Sequence, residues 1–205
     1  MKVLMLNGSP HEHGSTYTAL HEMEKIFAEE GIETELVQIG KLDIRGCLAC
    51  GQCRRTGKCA IDDVVNEVAE KLERADGFVV GSPVYYASAN ATLVALLDRL
   101  FYSTHADLRM KVGAAVCSAR RGGLTATFDE LNKYFAISGM PIACGQYWNG
   151  IHGNSAADAV QDGEGMQMMR TLARNMAFLM KSIALGKDAF ALPTLEDRVA
   201  TNFIR

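Results

Sequence analysis

Short apolar runs of strand length alternate with apolar residues at helical spacing along this chain, and that alternation limits the fold more than any other feature. Val3-Leu4-Met5-Leu6 opens the series. Leu20, Met23, Ile26 and Phe27 follow at helical spacing, in a segment that starts at Ser15 and stops at Gly31. Residues 33–39 alternate as a strand does. Asp62 is placed to cap a helix that reaches about Arg74, with Val65, Val68 and Leu72 facing inward. Residues 77–82 contain Phe78-Val79-Val80, apolar on every side, as a strand covered on both faces must be. A helix over 90–102, a strand over 111–117, a helix over 125–138 and a last strand at Pro141-Ile142-Ala143-Cys144 continue the pattern. The longest helix covers 164–185, apolar at Met169, Leu172, Met176, Leu179, Met180 and Ile183.

Five strands and five helices in alternation predict an α/β fold, a three-layer sandwich with a five-stranded parallel sheet and helices on both faces. Each parallel pairing needs a crossover, and right-handed crossovers are strongly favoured. One domain is expected over 1–185, with a cysteine-rich loop inserted at 46–60 and a tail at 186–205 that has no assigned role. In such sheets a ligand lies beyond the carboxyl ends of the strands, where the strand order reverses. The loops that matter are therefore 8–16, 82–90 and 117–124. A formal charge of −3 gives no electrostatic reason to expect nucleic acid or an anionic membrane as partner. With no run of about 18 apolar residues and no signal-peptide pattern, a soluble cytoplasmic protein is expected.

The first loop reads Asn7-Gly8-Ser9-Pro10, then His11-Glu12-His13, then Gly14-Ser15-Thr16 at a helix start. A helix N-terminus with free N–H groups is an anion cradle. No lysine lies between Gly8 and Thr16, which excludes a triphosphate loop, and the dinucleotide glycine spacing is absent as well. A monophosphate suits what is left. The second loop, Ser82-Pro83-Val84-Tyr85-Tyr86-Ala87-Ser88, offers flat aromatic faces beside small residues that admit a planar ring. The third, Ser118-Ala119-Arg120-Arg121-Gly122-Gly123, joins guanidinium groups to free backbone N–H groups, which stabilise negative charge. Taken singly, these are compatible with a bare turn, packed tyrosines and a solvated basic turn; three on one edge point to a ligand.

Cys47, Cys50, Cys53 and Cys59 have the spacing C-x2-C-x2-C-x5-C. Thiolates two residues apart can wrap one compact cubane, whereas structural zinc favours two widely separated ligand pairs. Arg54, Arg55 and Lys58 would offset thiolate charge. A cluster, unmetallated thiols and zinc all stay open on spacing alone. Cys117 and Cys144 are expected as small buried hydrophobes.

With Gly8-Ser9-Pro10, Gly14-Ser15-Thr16, Ser82-Pro83-Val84-Tyr85-Tyr86, Asp98-Arg99, Gly139-Met140 and the cysteine run before Asp62-Asp63, the chain resembles the flavodoxin-like NAD(P)H-dependent FMN reductase family. It is most similar to the iron-sulfur flavoprotein branch. The resemblance implies a flavodoxin-like fold and FMN with its phosphate at Ser9, His11, Ser15 and Thr16. It sets the isoalloxazine against Pro83, Val84, Tyr85 and Tyr86 and against Ser118, Arg120, Arg121, Gly122 and Gly123. It further implies NAD(P)H as electron donor, a [4Fe-4S] cluster on the four cysteines and a homodimer or homotetramer. Family members often carry arginine where this chain has His11, so a permanent charge is missing from the phosphate site. Two roles follow: an FMN-dependent NAD(P)H oxidoreductase passing electrons to an unidentified acceptor, or an electron carrier relaying them between FMN, cluster and partner proteins. An interaction module with an empty flavin fold is a third. Residues 147–153 are expected either over the flavin or at a subunit contact.

Overall fold

A computed structural model describes residues 1–197, 199–201 and 203. The elements in order are β1 (Lys2–Asn7), α1 (Ser15–Glu29), β2 (Glu33–Gln38), α2 (Cys53–Thr56), α3 (Val64–Arg74) and β3 (Gly77–Pro83). They continue with α4 (Ala91–Ser103), β4 (Val112–Ala119), α5 (Leu124–Ile137), β5 (Gly150–His152), α6 (Ala156–Gln161) and α7 (Gly163–Phe190). All strand pairings are parallel and the sheet order is β2-β1-β3-β4-β5, the flavodoxin-like order. The expected architecture is present. The order reverses between β1 and β3, where Asn7 lies beside Gly81, and this reversal opens the crevice used below.

Alternation along each strand sorts the core into two layers. Val3, Met5, Val79 and Ala114 pack with α1 and α7, whereas Leu4, Leu6, Phe78 and Val80 pack with α3, α4 and α5. Every residue of β4 is buried. Met168, Met169, Met176 and Met180 of α7 are core residues. Among the described residues no helix is long and apolar enough to cross a membrane.

Glu22 ties the outer layer together, accepting from Arg170 Nη1 at 2.8 Å and Lys25 Nζ at 3.0 Å. Burial pushes its pKa up, but the hydrogen bonds from Arg170 and Lys25 outweigh burial and hold it below the usual carboxylate range. A lowered folded-state pKa contributes stability above that range, and the contribution is lost as pH falls through it. Glu22→Gln is expected to cost about 1–2 kcal/mol at neutral pH. The loss should shrink on acidification below the carboxylate range, as urea denaturation at the two pH values would show.

Four local readings are corrected. The cap of α3 is Asp63, whose Oδ1 accepts from Val65 N at 3.1 Å, and not Asp62. The last strand is Gly150–His152 and not 141–144, where Ile142 makes only an isolated bridge to Gly113. The buried Asn149 causes the displacement, since its side chain accepts from Gly145 N and donates to Ala143 O while its carbonyl accepts from Cys117 N. The chain loops out around it before pairing with the end of β4. Cys144 is exposed; Cys117 is buried, and burial pushes its thiol up to about 12. Helix α7 runs to Phe190, so the proposed tail begins as helix, and residues 198, 202, 204 and 205 of it lie outside the described residues.

Candidate functional site

The loop between β1 and α1 is held through its backbone groups by side chains and by β3. Gly8 N donates to Gly81 O at 2.8 Å, Ser9 N to Asn7 Oδ1 at 3.1 Å and His11 N to Ser9 Oγ at 3.1 Å, while Gln38 Nε2 donates to Ser9 O at 2.6 Å. Gly14 begins α1 with an extended backbone and no side-chain cap, and the first bond into the helix is Thr18 N to Gly14 O. The N–H groups of Ser15, Thr16 and Tyr17 therefore have no acceptor among the described residues. Unpaired donors at a helix start carry partial positive charge and attract an anion.

Ser15 and Thr16 line a cleft of about 720 Å³, within the range of small-molecule sites. Of the residues expected from sequence, Ser9, His11, Ser15, Thr16, Pro83, Val84, Tyr85, Ser118 and Arg120 line it. The hydroxyls of Ser15 and Thr16 already join loops together. Ser15 Oγ donates to Ser155 O at 3.0 Å, and Thr16 Oγ1 shares a buried 2.8 Å hydrogen bond with Ser118 Oγ. Lys41 also faces the cleft, paired with Glu12 at 3.3 Å.

The second loop is a tight hairpin. Tyr85 and Ser88 exchange backbone hydrogen bonds at 2.9 and 3.0 Å around Tyr86 and Ala87, whose φ values are 51° and 60°. Two left-handed residues in a two-residue loop suit the twist of the hairpin but strain a tyrosine. Glu130 Oε2 steadies the exit, accepting from Ser88 Oγ and Ala89 N, each at 2.8 Å. The outcome splits the tyrosine pair: Tyr85 stands on the cleft wall, and Tyr86 points to solvent.

In the third loop Ser118, Ala119 and Arg120 reach the wall, whereas Arg121, Gly122 and Gly123 do not. Gly123 has a φ of 92°, and a Cβ there would sit 2.8 Å from Ala87 Cα. Its part is to let the third loop lie against the tyrosine hairpin. A fourth wall is made by Gly153, the end of the 147–153 segment expected over the flavin or at a subunit contact, and by Asn154, Ser155 and Ala156, which escaped sequence reading because the last strand was placed too early. The signal was Ser155 three residues ahead of Asp158, a helix cap that the structure bears out at 3.2 Å. Tyr147 and Trp148 lie elsewhere, in a separate hollow of about 240 Å³ between α5 and α7.

The four cysteines line one hollow with Leu48, Ile61 and Tyr102 as apolar walls. Cys53 is buried, Cys59 half-buried, and Cys47 and Cys50 are exposed. Arg99, on α4, is 1% exposed and donates from Nε to Cys59 Sγ at 3.3 Å. Burial disfavours its charge, but the hydrogen bonds to Asp63 and Cys59 raise its pKa. Among the described residues no three His, Cys, Asp or Glu side chains converge as a single metal ion requires. Four thiols around one hollow, with an N–H donor on a sulfur, suit a polynuclear iron-sulfur group.

Residues 1–153 match the NADPH-dependent FMN reductase family. The chain is 34% identical over 191 residues to an iron-sulfur flavoprotein of Methanocaldococcus jannaschii, covering 89% of this chain and 99% of that protein. It is 33% identical to an iron-sulfur flavoprotein of Methanosarcina thermophila, covering 92% and 100%. Among solved structures, RosB with bound 8-demethyl-8-formylriboflavin-5'-phosphate superposes with a TM-score of 0.69 at 16% identity, over 100% of this chain and 94% of that one. A flavodoxin from the domain Archaea superposes at 0.61 and 14% identity, over 88% and 99%. These structural likenesses show the flavodoxin-like fold.

Proposed function

Because the chain belongs to the NADPH-dependent FMN reductase family, we propose that its cleft holds FMN and that a reduced nicotinamide delivers electrons there for an onward acceptor. The observation that carries this reading is the set of unpaired N–H groups at the start of α1, where Ser15 and Thr16 line the same crevice as Tyr85 and Arg120. FMN supplies hydride acceptance and the release of electrons in pairs or singly. This chain's residues bind and orient. The N–H groups of Ser15 and Thr16 receive the phosphate, with Ser9 and His11 at its edge. Pro83, Val84 and Tyr85 form one wall for the ring and Ser118 to Arg120 the other. The Arg120 guanidinium offsets negative charge at the mouth. Gly123 acts at one remove, through Val84 and Ala87; Tyr86, Arg121 and Gly122 do not line the cleft.

The same reading gives Cys47, Cys50, Cys53 and Cys59 to a [4Fe-4S] cluster, which supplies one-electron exchange. Two relatives are named iron-sulfur flavoproteins, and the donor set fits. A relay between partner proteins is therefore the second role. A cytoplasmic homodimer or homotetramer is the expected assembly, which sedimentation of the purified chain checks.

Anaerobic spectra of the FMN-loaded chain separate the roles. Bleaching of the flavin band by NADPH or NADH within seconds is the expected result. Bleaching only by a reduced ferredoxin makes the chain a carrier, and failure to retain flavin removes the FMN reading.

A further inference from the structure

Arg99 spends every donor it has on the cysteine loop. Nε donates to Cys59 Sγ at 3.3 Å. Nη1 donates to Asp63 Oδ2 at 2.7 Å and Arg45 O at 3.1 Å, and Nη2 to Asp63 Oδ1 at 2.8 Å and Ile61 O at 3.2 Å. Arginine has five N–H groups and all five are used. Its acceptors lie on both sides of the cysteine run, so one buried fork clamps the loop at its two ends.

Bracing alone does not need a donor on a sulfur. An aliphatic chain would fill the volume, and backbone carbonyls are the usual targets of a bracing guanidinium. The Nε–H bond to Cys59 is the part with consequences for redox chemistry. A cluster that gains one electron and no proton gains one negative charge. A hydrogen bond donated to its sulfur, with positive charge behind it, stabilises the reduced form more than the oxidised one. Asp63 offsets much of the guanidinium charge at longer range, which leaves the short N–H to sulfur contact as the larger influence.

We propose that Arg99 is a positioning residue that raises the reduction potential of a cluster held by Cys47, Cys50, Cys53 and Cys59, through its Nε–H bond to Cys59 Sγ. The inference rests on the cluster reading above. Lysine keeps the charge at position 99 but has neither the fork nor a donor fixed on Cys59.

The test is a mediated redox titration, with dithionite as the one-electron reductant, on anaerobically reconstituted full-length protein. The wild type is compared with Arg99→Lys and with the paired replacement Arg99→Met/Asp63→Asn. The pair removes the buried charge of Arg99 together with that of its half-buried partner Asp63, and Asn still caps α3, so it carries the test where Arg99→Lys does not fold. Iron content and FMN binding are measured on each. The expected result is cluster-loaded variants whose equilibrium shifts about tenfold toward the oxidised form, or about 59 mV lower for a one-electron couple. Cluster content that falls while the potential of the loaded fraction stays at the wild-type value makes Arg99 a brace only and overturns the proposal. Unchanged potential with full loading overturns it too. Wild-type protein that takes up no iron overturns the cluster reading itself, a distinct outcome because it appears before any variant is compared.

Discussion

Gly40→Ala is expected to weaken FMN binding by about 100-fold, or roughly 2.7 kcal/mol, and to destabilise the fold by about 3 kcal/mol. A Cβ on Gly40 would lie 2.1 Å from the carbonyl carbon of Ser9, 2.2 Å from its oxygen and 2.5 Å from Gly8 O. These are backbone atoms, so no side-chain rotation relieves the clash. The chain at this point is also pinned, because Ile39 N and Gly40 N both donate to Asn7 O, at 2.8 and 3.2 Å. The added methyl must push the loop over Gly8 and Ser9 toward the cleft, and that loop carries His11 and leads into the free donors of α1. Fluorescence titration with FMN and urea denaturation check the two parts separately. Wild-type affinity together with wild-type stability would show that the loop does not sit where it is described.

Arg99→Met is expected to cost about 3 kcal/mol in protein that carries no metal at all. The substitution leaves the Asp63 carboxylate without its bidentate partner and takes donors from the carbonyls of Arg45 and Ile61. Asp63 is half-buried, and leaving one member of a desolvated ion pair behind is more costly than removing both. Adding Asp63→Asn should therefore recover part of the loss. The pair should be more stable than the sum of the single losses predicts, by about 1–3 kcal/mol. Urea denaturation of the four proteins measures this coupling. Strict additivity would mean that the guanidinium and the carboxylate do not depend on each other.

The layered fold was open to reading because burial on both faces leaves a plain trace. Phe78-Val79-Val80 is apolar on both sides of its strand, and the inward side of α7 repeats at helical spacing. The edge strand left almost none. It has three residues, and its place is set by Asn149, whose polar side chain reads as loop chemistry until it is seen bonded to Gly145 and Ala143. That one displacement also hid the fourth wall of the cleft beyond Gly153. Adjacent tyrosines are equivalent in sequence, yet left-handed φ values at Tyr86 and Ala87 send Tyr86 to solvent and leave Tyr85 on the wall. Arg99 was visible as part of an Asp-Arg pair but not as the clamp of the cysteine loop. Its partners lie 36 to 54 residues away, a distance at which spacing carries no information about contact.

The central claim is that the start of α1 receives the phosphate of FMN. Titration of the flavin-free protein with FMN and with riboflavin, which lacks that phosphate, tests it most directly. FMN should bind at least about 100-fold more tightly, a difference of roughly 2.7 kcal/mol, and the preference should weaken with added inorganic phosphate as the competing anion. Equal affinity for the two flavins would contradict the account.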